Sequence, residues 1–570
     1  MLMTLYKMIM KDIFKIILVS LLTGSFFLSC ETLELDLAEN PNALTPDSGD
    51  VNLFLNNIQL SFVGVGGATG ISGANNLASN VTRIDQFFGR NYFNDVGPTT
   101  IDGIWGSAYA GFFQDIVLMT PAATEQGLFN HLGVAQSLQA YYLVTLVDLL
   151  GDVPFSQANN GAEFPLPMLD DQEDVYAAAL DLLDQSDANF NTGGPELDVD
   201  FFYENDFDAW RAFNNTQRLR IAYQTRLVNP NAAAEFDAII ASGVFISDPS
   251  QDFRFPFGNT FQQPSDRHPD YTAGYLGTDG TAGGEYQSLY LMNLMQESND
   301  PRIRYFFYRQ TDCTPGASCN PEGDQNAISC SLDVAPQHYV DAGFATSFCF
   351  LENGYWGRPH GDNNGIPPDN LLRTAPGVFP GAGRFDDDRF EPTTLDQGGQ
   401  GGGIAPILLT SHVDFYRTEM AIVAGDNAAA SNFLRSGIER HIELVQSFIE
   451  RDPTANSDFA PTADDNADFV NSVVSTFDNA ATNEERMNIL GEQFFISLYG
   501  AGMDAYNFYR RTGAPFLQPN IEPNPGNFPR SFFYPVVETS ANSNIPQKPN
   551  LDQQVFWDTN PPSPAFPASN

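Results

Sequence analysis

Residues 250–405 form a long stretch, dominated by Gly, Asn, Asp, Pro and aromatic residues, that separates two blocks of helical periodicity. Within this stretch, apolar residues recur at helical spacing only over about 285–297. A structureless loop of this length is uncommon in a compact domain unless it is functional or cross-linked to itself. The sequence therefore predicts a mainly α fold, in which a helical scaffold carries long, loop-rich insertions.

The helical periodicity is clearest from Val134 to Leu149, where apolar residues recur every three to four positions until Gly151 ends the pattern. The same pattern predicts further helices at 171–186, 208–228, 411–424, 427–451, 465–478 and 483–500. Trp105 and Trp210 lie on apolar stripes and are predicted to be core residues. Paired helices of this length resemble tetratricopeptide units, which bury a core by stacking, although no repeat of about 34 residues is legible.

The N-terminus has the organisation of a secretory signal. Three lysines precede an apolar run, Ile16–Leu28, which suits a signal peptide and is short for a membrane span of ~20 residues. Cys30 stands directly behind this run, which predicts a lipoprotein signal peptide over residues 1–29 and an acylated Cys30 as the lipid anchor. Leu28 occupies a place that usually holds a small residue, and ordinary secretion with cleavage nearby is the alternative. Residues 30–50 are predicted to be a flexible acidic tether.

The chain is strongly acidic, with a net charge of −44 from 27 Lys and Arg and 71 Asp and Glu. Residues 1–29 contribute three Lys and one Asp, so the chain without them carries −46 and keeps Lys548 as its single lysine. Such a surface repels phosphates, which argues against nucleic acid as a partner and against peripheral binding to anionic lipid. Acidity favours solubility but does not identify a ligand.

Four further cysteines, Cys313, Cys319, Cys330 and Cys349, cluster in the loop-rich stretch. An even number of cysteines in a secreted protein favours disulfides, which would staple these loops. Of the three connectivities, local pairing of Cys313 with Cys319 and of Cys330 with Cys349 is preferred. Zinc is the alternative, but the spacing contains no paired C-x-x-C motif and the compartment is oxidising.

Two loop clusters, around residues 90–95 and 355–364, place aromatic rings beside Arg, Asn and Asp. Exposed aromatic residues in such loops favour a binding role, because flat rings and planar hydrogen-bonding groups suit both sugars and peptides. The predicted ligand-binding residues are Tyr92, Phe93, Tyr355, Trp356, Arg358, His360, Asp362 and Asn363. The alternative is that Tyr92 and Trp356 fill the core and that their neighbours cap turns.

The sequence carries no motif of a hydrolase or metalloenzyme: G-x-S-x-G, H-E-x-x-H and P-loop patterns are missing, and His360 and His412 are isolated. The protein is therefore predicted not to be an enzyme. Two acidic stretches, 362–364 and 386–388, hold oxygen ligands of the kind that calcium prefers. Neither has the D-x-[DN]-x-[DN]-G pattern, so solvated turns are the preferred interpretation and structural calcium is the alternative. No other cofactor or metal is predicted.

Short motifs occur along the chain in a recognisable order. They are Tyr141–Phe155, Asp174–Tyr176, Leu180–Leu183, Trp210–Asn215, Arg218–Ala222, Trp356–Asp369, Gly491–Gln493, Tyr499–Gly500, Asp504–Tyr506, Arg510–Gly513, Phe528–Arg530 and Tyr534–Pro535 with Glu538 and Asn542. Taken in this order, they resemble the motifs of the SusD/RagB family of nutrient-binding outer-membrane lipoproteins. Each motif is weak alone, but together they span most of residues 50–545. Asn215 and Gln217 depart from the family pattern, which affects scaffold detail.

The resemblance implies one SusD-like domain over residues 51–570. Its parts are a tetratricopeptide-like scaffold at about 130–230 and 410–512, a loop-rich binding region at about 250–405 and a wrapping tail at 515–570. It also implies a lipid-anchored, surface-exposed outer-membrane protein that captures oligosaccharides or oligopeptides. The implied partner is a SusC-like TonB-dependent barrel transporter, over which the lipoprotein lies as a lid. A secreted hydrolase of glycans or peptides is the alternative function.

Overall fold

Helices follow the apolar periodicity along most of the chain. The computed structural model describes residues 49–65, 69–260, 265–275, 286–314, 330, 333–364 and 373–567, and Asp50–Asn570 forms one compact unit. The helices are α1 Val51–Val63, α2 Gly70–Thr82, α3 Tyr92–Asp95, α4 Asp102–Gly106, α5 Phe113–Glu125, α6 Phe129–Leu150, α7 Gln172–Thr192, α8 Phe207–Gln224, α9 Ala232–Ser242, α10 Pro269–Tyr275, α11 Leu289–Glu297, α12 Ile303–Phe306, α13 Gln337–Asp341, α14 Thr410–Ala424, α15 Asn427–Ser447, α16 Ala463–Asn479, α17 Asn483–Ser497, α18 Gly502–Thr512 and α19 Val536–Thr539. The predicted mainly α fold is confirmed.

α6 is the central helix of the N-terminal block, because almost all of its side chains are buried. Gly151 ends α6 with a φ of 80°, a conformation that glycine adopts without strain. Asp171 begins α7 by accepting a hydrogen bond from the backbone N–H of Glu173. Ser137 of α6 donates to Asn214 of α8 over 2.7 Å, so a buried polar contact joins neighbouring helices. Both predicted boundaries are confirmed.

The C-terminal block contains α14 to α18. The four helices predicted between 411 and 500 agree with the structure to within three residues, if the 3₁₀ turn Phe448–Arg451 that extends α15 is included. α8 is different: it ends at Gln224, four residues before the predicted end at 228. A buried ion pair joins the two blocks, since Arg220 Nε of α8 donates to Asp504 Oδ1 of α18 over 2.7 Å.

The N-terminal helices α1, α2 and α5 are not predicted by the apolar periodicity of the sequence. α2 is rich in Gly, Ser and Asn, which are poor helix formers. Tertiary packing holds it instead: a Cβ added to Gly502 of α18 would lie 2.4 Å from the carbonyl oxygen of Asn75. The backbone N–H of Met503 also donates to the Asn75 side chain over 3.1 Å. This close contact fixes α2 and leaves Asn76 exposed.

Short strands organise the loop-rich stretch. The pairs are β1 Phe253–Pro256 with β6 Ile404–Leu408, antiparallel; β2 Gln287–Ser288 with β4 Gly357–Arg358, parallel; and β3 Phe307–Tyr308 with β5 Ala375–Pro376, antiparallel. The β1–β6 pair brings the two ends of the stretch together. Residues that are far apart in sequence can therefore line one surface.

A disulfide fastens the same stretch. Cys330 and Cys349 are bonded, with their Cα atoms 5.8 Å apart, which confirms one predicted pairing. Cys313 is also disulfide-bonded, but Cys319, its predicted partner, lies outside the described residues. Cys330 and Cys349 pack against Trp356 in a small hydrophobic cluster that is separate from the main core.

The C-terminal tail packs on the helices. The backbone N–H of Phe532 donates to the carbonyl of Leu149 over 2.8 Å. The indole N–H of Trp557 donates to the buried carboxylate of Asp148 over 2.9 Å. The tail therefore contacts the C-terminal end of α6.

The predicted signal peptide, Cys30 and nearly all of the predicted tether lie outside the described residues. Among the residues that the structure does describe, no helix combines the length and the apolar character that a membrane crossing requires.

Candidate ligand-binding cleft

Most of the predicted ligand-binding residues lie inside the protein. Trp356 is 1% exposed, and its indole N–H donates to the carbonyl of Cys313 over 2.8 Å. Tyr355 is also buried, and the guanidinium of Arg309 lies 5.0 Å from its ring centre. The expectation that these rings are exposed is wrong, because Trp356 packs in the disulfide cluster and Tyr355 packs in the main core.

Four more of these residues form two buried polar pairs. Arg358 pairs with Asp362 over 3.0 Å, and both side chains are fully buried. The hydroxyl of Tyr92 and Nε2 of His360 are hydrogen-bonded at 2.9 Å. Burial, helped by the charge of Arg83, lowers the pKa of His360 well below its usual range, so the ring is neutral. These contacts therefore fit a structural role in the core better than a contact with a ligand at the surface.

Phe93 and Asn363 are the two predicted residues that are exposed. Phe93 is 52% exposed and meets the ring of Phe533 edge to face at 5.5 Å. Asn363 accepts a hydrogen bond from Nε of Arg90 over 2.7 Å. Their contact with a ligand stays a prediction, and none of the eight predicted residues lines the cleft described below.

The acidic triplet at 386–388 is neither a solvated turn nor a free set of calcium ligands. Nε of Arg309 donates to Asp386 over 2.6 Å, and Arg304 donates to Asp388 over 2.8 Å. Arg389 binds Asp387. Guanidiniums therefore occupy these carboxylates. Across the described ranges, no group of three or more His, Cys, Asp or Glu side chains is arranged to hold a metal ion.

A polar cleft lies beside α2, α10 and the β1–β6 pair. Two adjoining cavities form it, with volumes of about 260 and 200 Å³, and both are lined by Asn76, Asp85 and Asp270. Phe88 and Tyr286 line the smaller cavity. Amide, carboxyl and aromatic groups from distant parts of the chain therefore converge on one concave surface.

α2 supplies the amide wall of the cleft. Ser72, Asn76 and Asn80 are four positions apart and therefore share one face of the helix. The side-chain amide of Asn80 donates to that of Asn76 over 3.3 Å. A carboxamide has two donors and an acceptor, so this face can match the hydroxyl groups of a sugar.

Aromatic side chains form another part of the wall. Phe88 is half-buried and meets Tyr286 edge to face, with 5.9 Å between ring centres. The guanidiniums of Arg358 and Arg373 each lie 4.6 Å from the centre of the Tyr286 ring, which holds that ring in place. Phe88 is left with an accessible ring on which a sugar or a peptide side chain can stack.

The cleft also contains an unusual carboxyl group. Burial, reinforced by the negative charge of Asp270, raises the pKa of Asp85 to about 7. Nδ1 of His268 accepts a hydrogen bond from the backbone N–H of Asp270 over 3.2 Å, and burial lowers the pKa of this imidazole. Near neutral pH, Asp85 can therefore either donate or accept a hydrogen bond.

The residues of the cleft are not among the predicted ligand-binding residues. The predicted loop cluster begins at Arg90, two positions beyond Phe88. The available signal was the polar spacing of Ser72, Asn76 and Asn80, but α2 was not predicted to be a helix. Asp270 reaches the cleft through tertiary packing, which no local pattern reveals.

A larger cavity of about 660 Å³ lies beside α17, α18 and the C-terminal tail. Its wall is mostly apolar, with Phe344, Met487 and Leu517 among its residues. The guanidinium of Arg511 on this wall is already bound to Glu419 over 2.8 Å. A ligand site combines an apolar wall with a few polar groups that are placed to fix its ligand. Asn488 of this wall is engaged as well, since its amide donates to Glu492 over 2.7 Å, so the polar cleft is the better candidate.

Comparison with protein families decides the assignment. The family model described as "Starch-binding associating with outer membrane" matches residues 41–342, which is more than half of the chain. A second model, described as "Susd and RagB outer membrane lipoprotein", matches residues 405–543. The chain belongs to the SusD-like family. Members of this family are outer-membrane proteins that bind nutrients, glycans among them, and the SusD-like proteins form a binding family.

Solved structures agree on the SusD-like fold. This chain is similar to a chitin-binding protein at 19% identity and a TM-score of 0.63, covering 90% of this chain and 100% of the other. It is similar to a SusD homologue from Bacteroides fragilis NCTC 9343 at 17% and 0.62, with the same coverage. A SusD/RagB family protein from Bacteroides thetaiotaomicron VPI-5482 gives 17% and 0.61, again with that coverage. No curated protein matches the chain.

Proposed function

We propose that this SusD-like protein captures an oligosaccharide in the cleft beside α2 and delivers it to a SusC-like TonB-dependent transporter. The observation that carries the proposal is the convergence of Asn76, Asp85, Phe88 and Asp270 on one cavity. Three findings support a glycan ligand: the family membership, a family description that names starch, and the similarity to a chitin-binding protein. An oligopeptide is the alternative ligand.

Each group has a distinct part in such binding. The ring of Phe88 offers a flat apolar face for a sugar ring, whereas Asn76 and Asn80 offer donors and acceptors for its hydroxyls. Asp85 accepts a hydrogen bond when ionised and donates one when protonated, so its pKa of about 7 suits it to either role. Binding without bond cleavage needs nothing further from the cleft.

Replacing Phe88 with alanine is expected to weaken oligosaccharide binding at least tenfold, which is ~1.4 kcal/mol or more, because an aromatic contact in a cleft is lost. Calorimetric titration with the hexamers of N-acetylglucosamine and of glucose, in the chitin and starch linkages, measures the effect. Phe459→Ala is the matched control, since that ring is exposed but lines neither cavity of the cleft. Equal affinities for both variants would rule out the cleft.

A hydrolase is the second candidate function, and one observation favours it. Paired carboxyl groups with one raised pKa, here Asp85 beside Asp270, are also the arrangement of a glycosidase acid and base. The binding proposal expects both hexamers to stay intact during long incubation with the protein. Shorter products that disappear in Asp85→Asn would instead establish hydrolysis.

Lipid anchoring at Cys30 is the second part of the proposal, and it rests on the position of this cysteine behind Ile16–Leu28. We propose that residues 1–29 are removed and that 30–50 tether the domain of residues 51–570 at the cell surface. Mass spectrometry of the mature N-terminus is expected to find an acylated Cys30, and Cys30→Ala is expected to release the protein from membranes. A mature chain that begins elsewhere and stays soluble would contradict this.

A further inference from the structure

The charges in the cleft are poorly balanced. Asp85 and Asp270 line both cavities, and the charge of Asp270 contributes to the raised pKa of Asp85. In the part of the chain that the structure describes, no Lys or Arg lines either cavity or forms an ion pair with these two carboxyl groups. His268 does not supply a positive charge either, because burial favours its neutral form.

Four arginines close to the cleft in sequence or across Tyr286 are engaged elsewhere, among them Arg267, which pairs with Asp396. Arg358 and Arg373 contact the ring of Tyr286, and Arg358 is also paired with a buried aspartate. Arg83, two residues before Asp85, donates to the backbone carbonyl of Gln518 over 3.0 Å. None of these guanidiniums is among the groups that influence the pKa of Asp85.

The sequences of the internal segments outside the described residues offer no positively charged side chain either. Residues 66–68, 261–264, 276–285, 315–329, 331–332 and 365–372 contain no Lys or Arg. Segments 261–264 and 276–285 flank α10, which carries Asp270, and the second of them adds Asp279 and Glu285 to the sequence. The excess of negative charge is therefore a property of the sequence as well as of the described wall.

A second feature of the same wall is a buried hydroxyl group. Ser79 is buried and lines the larger part of the cleft. Its hydroxyl makes no hydrogen bond of normal geometry with any described part of the protein, although it is close enough to Asp85 to lower the pKa of that carboxyl. Buried polar groups are normally satisfied, so this hydroxyl can serve as a partner for a bound donor.

We propose that the cleft selects oligosaccharides that carry free, protonated amino groups, as a deacetylated amino sugar does. This inference rests on the proposed function and adds the charge of the ligand to it. An ammonium group would pair with Asp85 and Asp270 in a partly desolvated site, where charge-assisted hydrogen bonds are stronger than neutral ones. It would also remove the repulsion between the two carboxylates.

The test compares two probes of equal length and linkage: the hexamer of glucosamine, which carries free amines, and the hexamer of N-acetylglucosamine, which is neutral. Titration calorimetry at low salt and neutral pH, where a carboxyl with a pKa of about 7 is partly ionised, is expected to show at least tenfold tighter binding of the glucosamine hexamer. In Asp270→Asn this preference is expected to fall below threefold, and added salt is expected to reduce it in the wild type.

Asp237→Asn is the control for the general acidity of the chain, because it removes one charge from the exposed surface of α9 without touching the cleft. This variant is expected to keep the full preference. Equal binding of the two hexamers by the wild type, or equal loss in both variants, would overturn the inference while leaving the proposed function intact. If neither hexamer binds but another oligosaccharide or a peptide does, the glycan assignment fails separately.

Discussion

Replacing Trp356 with alanine is expected to lower the free energy of unfolding by about 3–5 kcal/mol, because a large buried ring is lost from a packed cluster. The ring is fully enclosed beside Cys330–Cys349, and its N–H bond to the carbonyl of Cys313 is lost as well. The affinity of the cleft for oligosaccharides is expected to stay unchanged. Denaturant unfolding and calorimetric titration on the same variant measure the two effects.

Trp356→Phe separates packing from hydrogen bonding at this position. It keeps most of the buried ring but removes the N–H donor, so a smaller loss of stability is expected than for Trp356→Ala. If Trp356→Ala instead kept the wild-type stability and lost ligand affinity, this ring would belong to the ligand surface, as the sequence predicted.

Replacing Glu419 with glutamine is expected to destabilise the fold by about 3–5 kcal/mol, because it leaves buried guanidiniums without a counter-charge. Glu419 accepts from Nε of Arg511 over 2.9 Å and from Nε of Arg226 over 2.7 Å, and its side chain is fully buried. It joins α14 to α18 and to the turn that follows α8, so the loss affects the contact between the two helical blocks. Chemical unfolding at neutral pH measures it.

The same residue gives the wild type a characteristic dependence on pH. Although burial opposes ionisation, Arg511 and Arg226 lower the pKa of Glu419 from 4.5 to about 2. Its stabilising contribution is therefore present above pH 4.5 and is lost as the pH falls towards 2, amounting to about 3 kcal/mol at most. In Glu419→Gln this contribution is expected to be absent.

Glu439→Gln is the matched control, because Glu439 also pairs with an arginine, Arg435, but the two side chains are 54% and 37% exposed. Exposed ion pairs contribute little, so a loss below about 1 kcal/mol is expected. Similar losses in Glu439→Gln and Glu419→Gln would show that the buried position of Glu419 has no special role.

The helical scaffold was predictable where local signals and burial agree. α6 shows this well: its apolar residues recur at helical spacing, and Gly151 supplies the positive φ that ends it. α2 was not predictable in this way, because its Gly, Ser and Asn residues favour other conformations and its packing, most closely against α18, stabilises the helix. Tertiary packing overrode local propensity there.

The predicted ligand-binding residues agree less well with the structure than the predicted helices do, for a related reason. An aromatic residue in a Gly-rich loop has the same sequence signature whether the loop is exposed or folded over it. Trp356 and Tyr355 are enclosed, whereas Phe88, which neither loop cluster included, is half-buried and lines the cleft. Asp85 and Asp270 meet through the packing of α10, and their effect on each other exists only in the folded protein.

A crystal structure of the protein with the tightest-binding oligosaccharide hexamer tests the central claim most directly. The account predicts density for sugar rings in the cleft, with one ring on Phe88 and others within hydrogen-bonding distance of Asn76 and Asp270. Density in the larger, mostly apolar cavity beside α17, α18 and Phe516, with an empty cleft, would contradict this account.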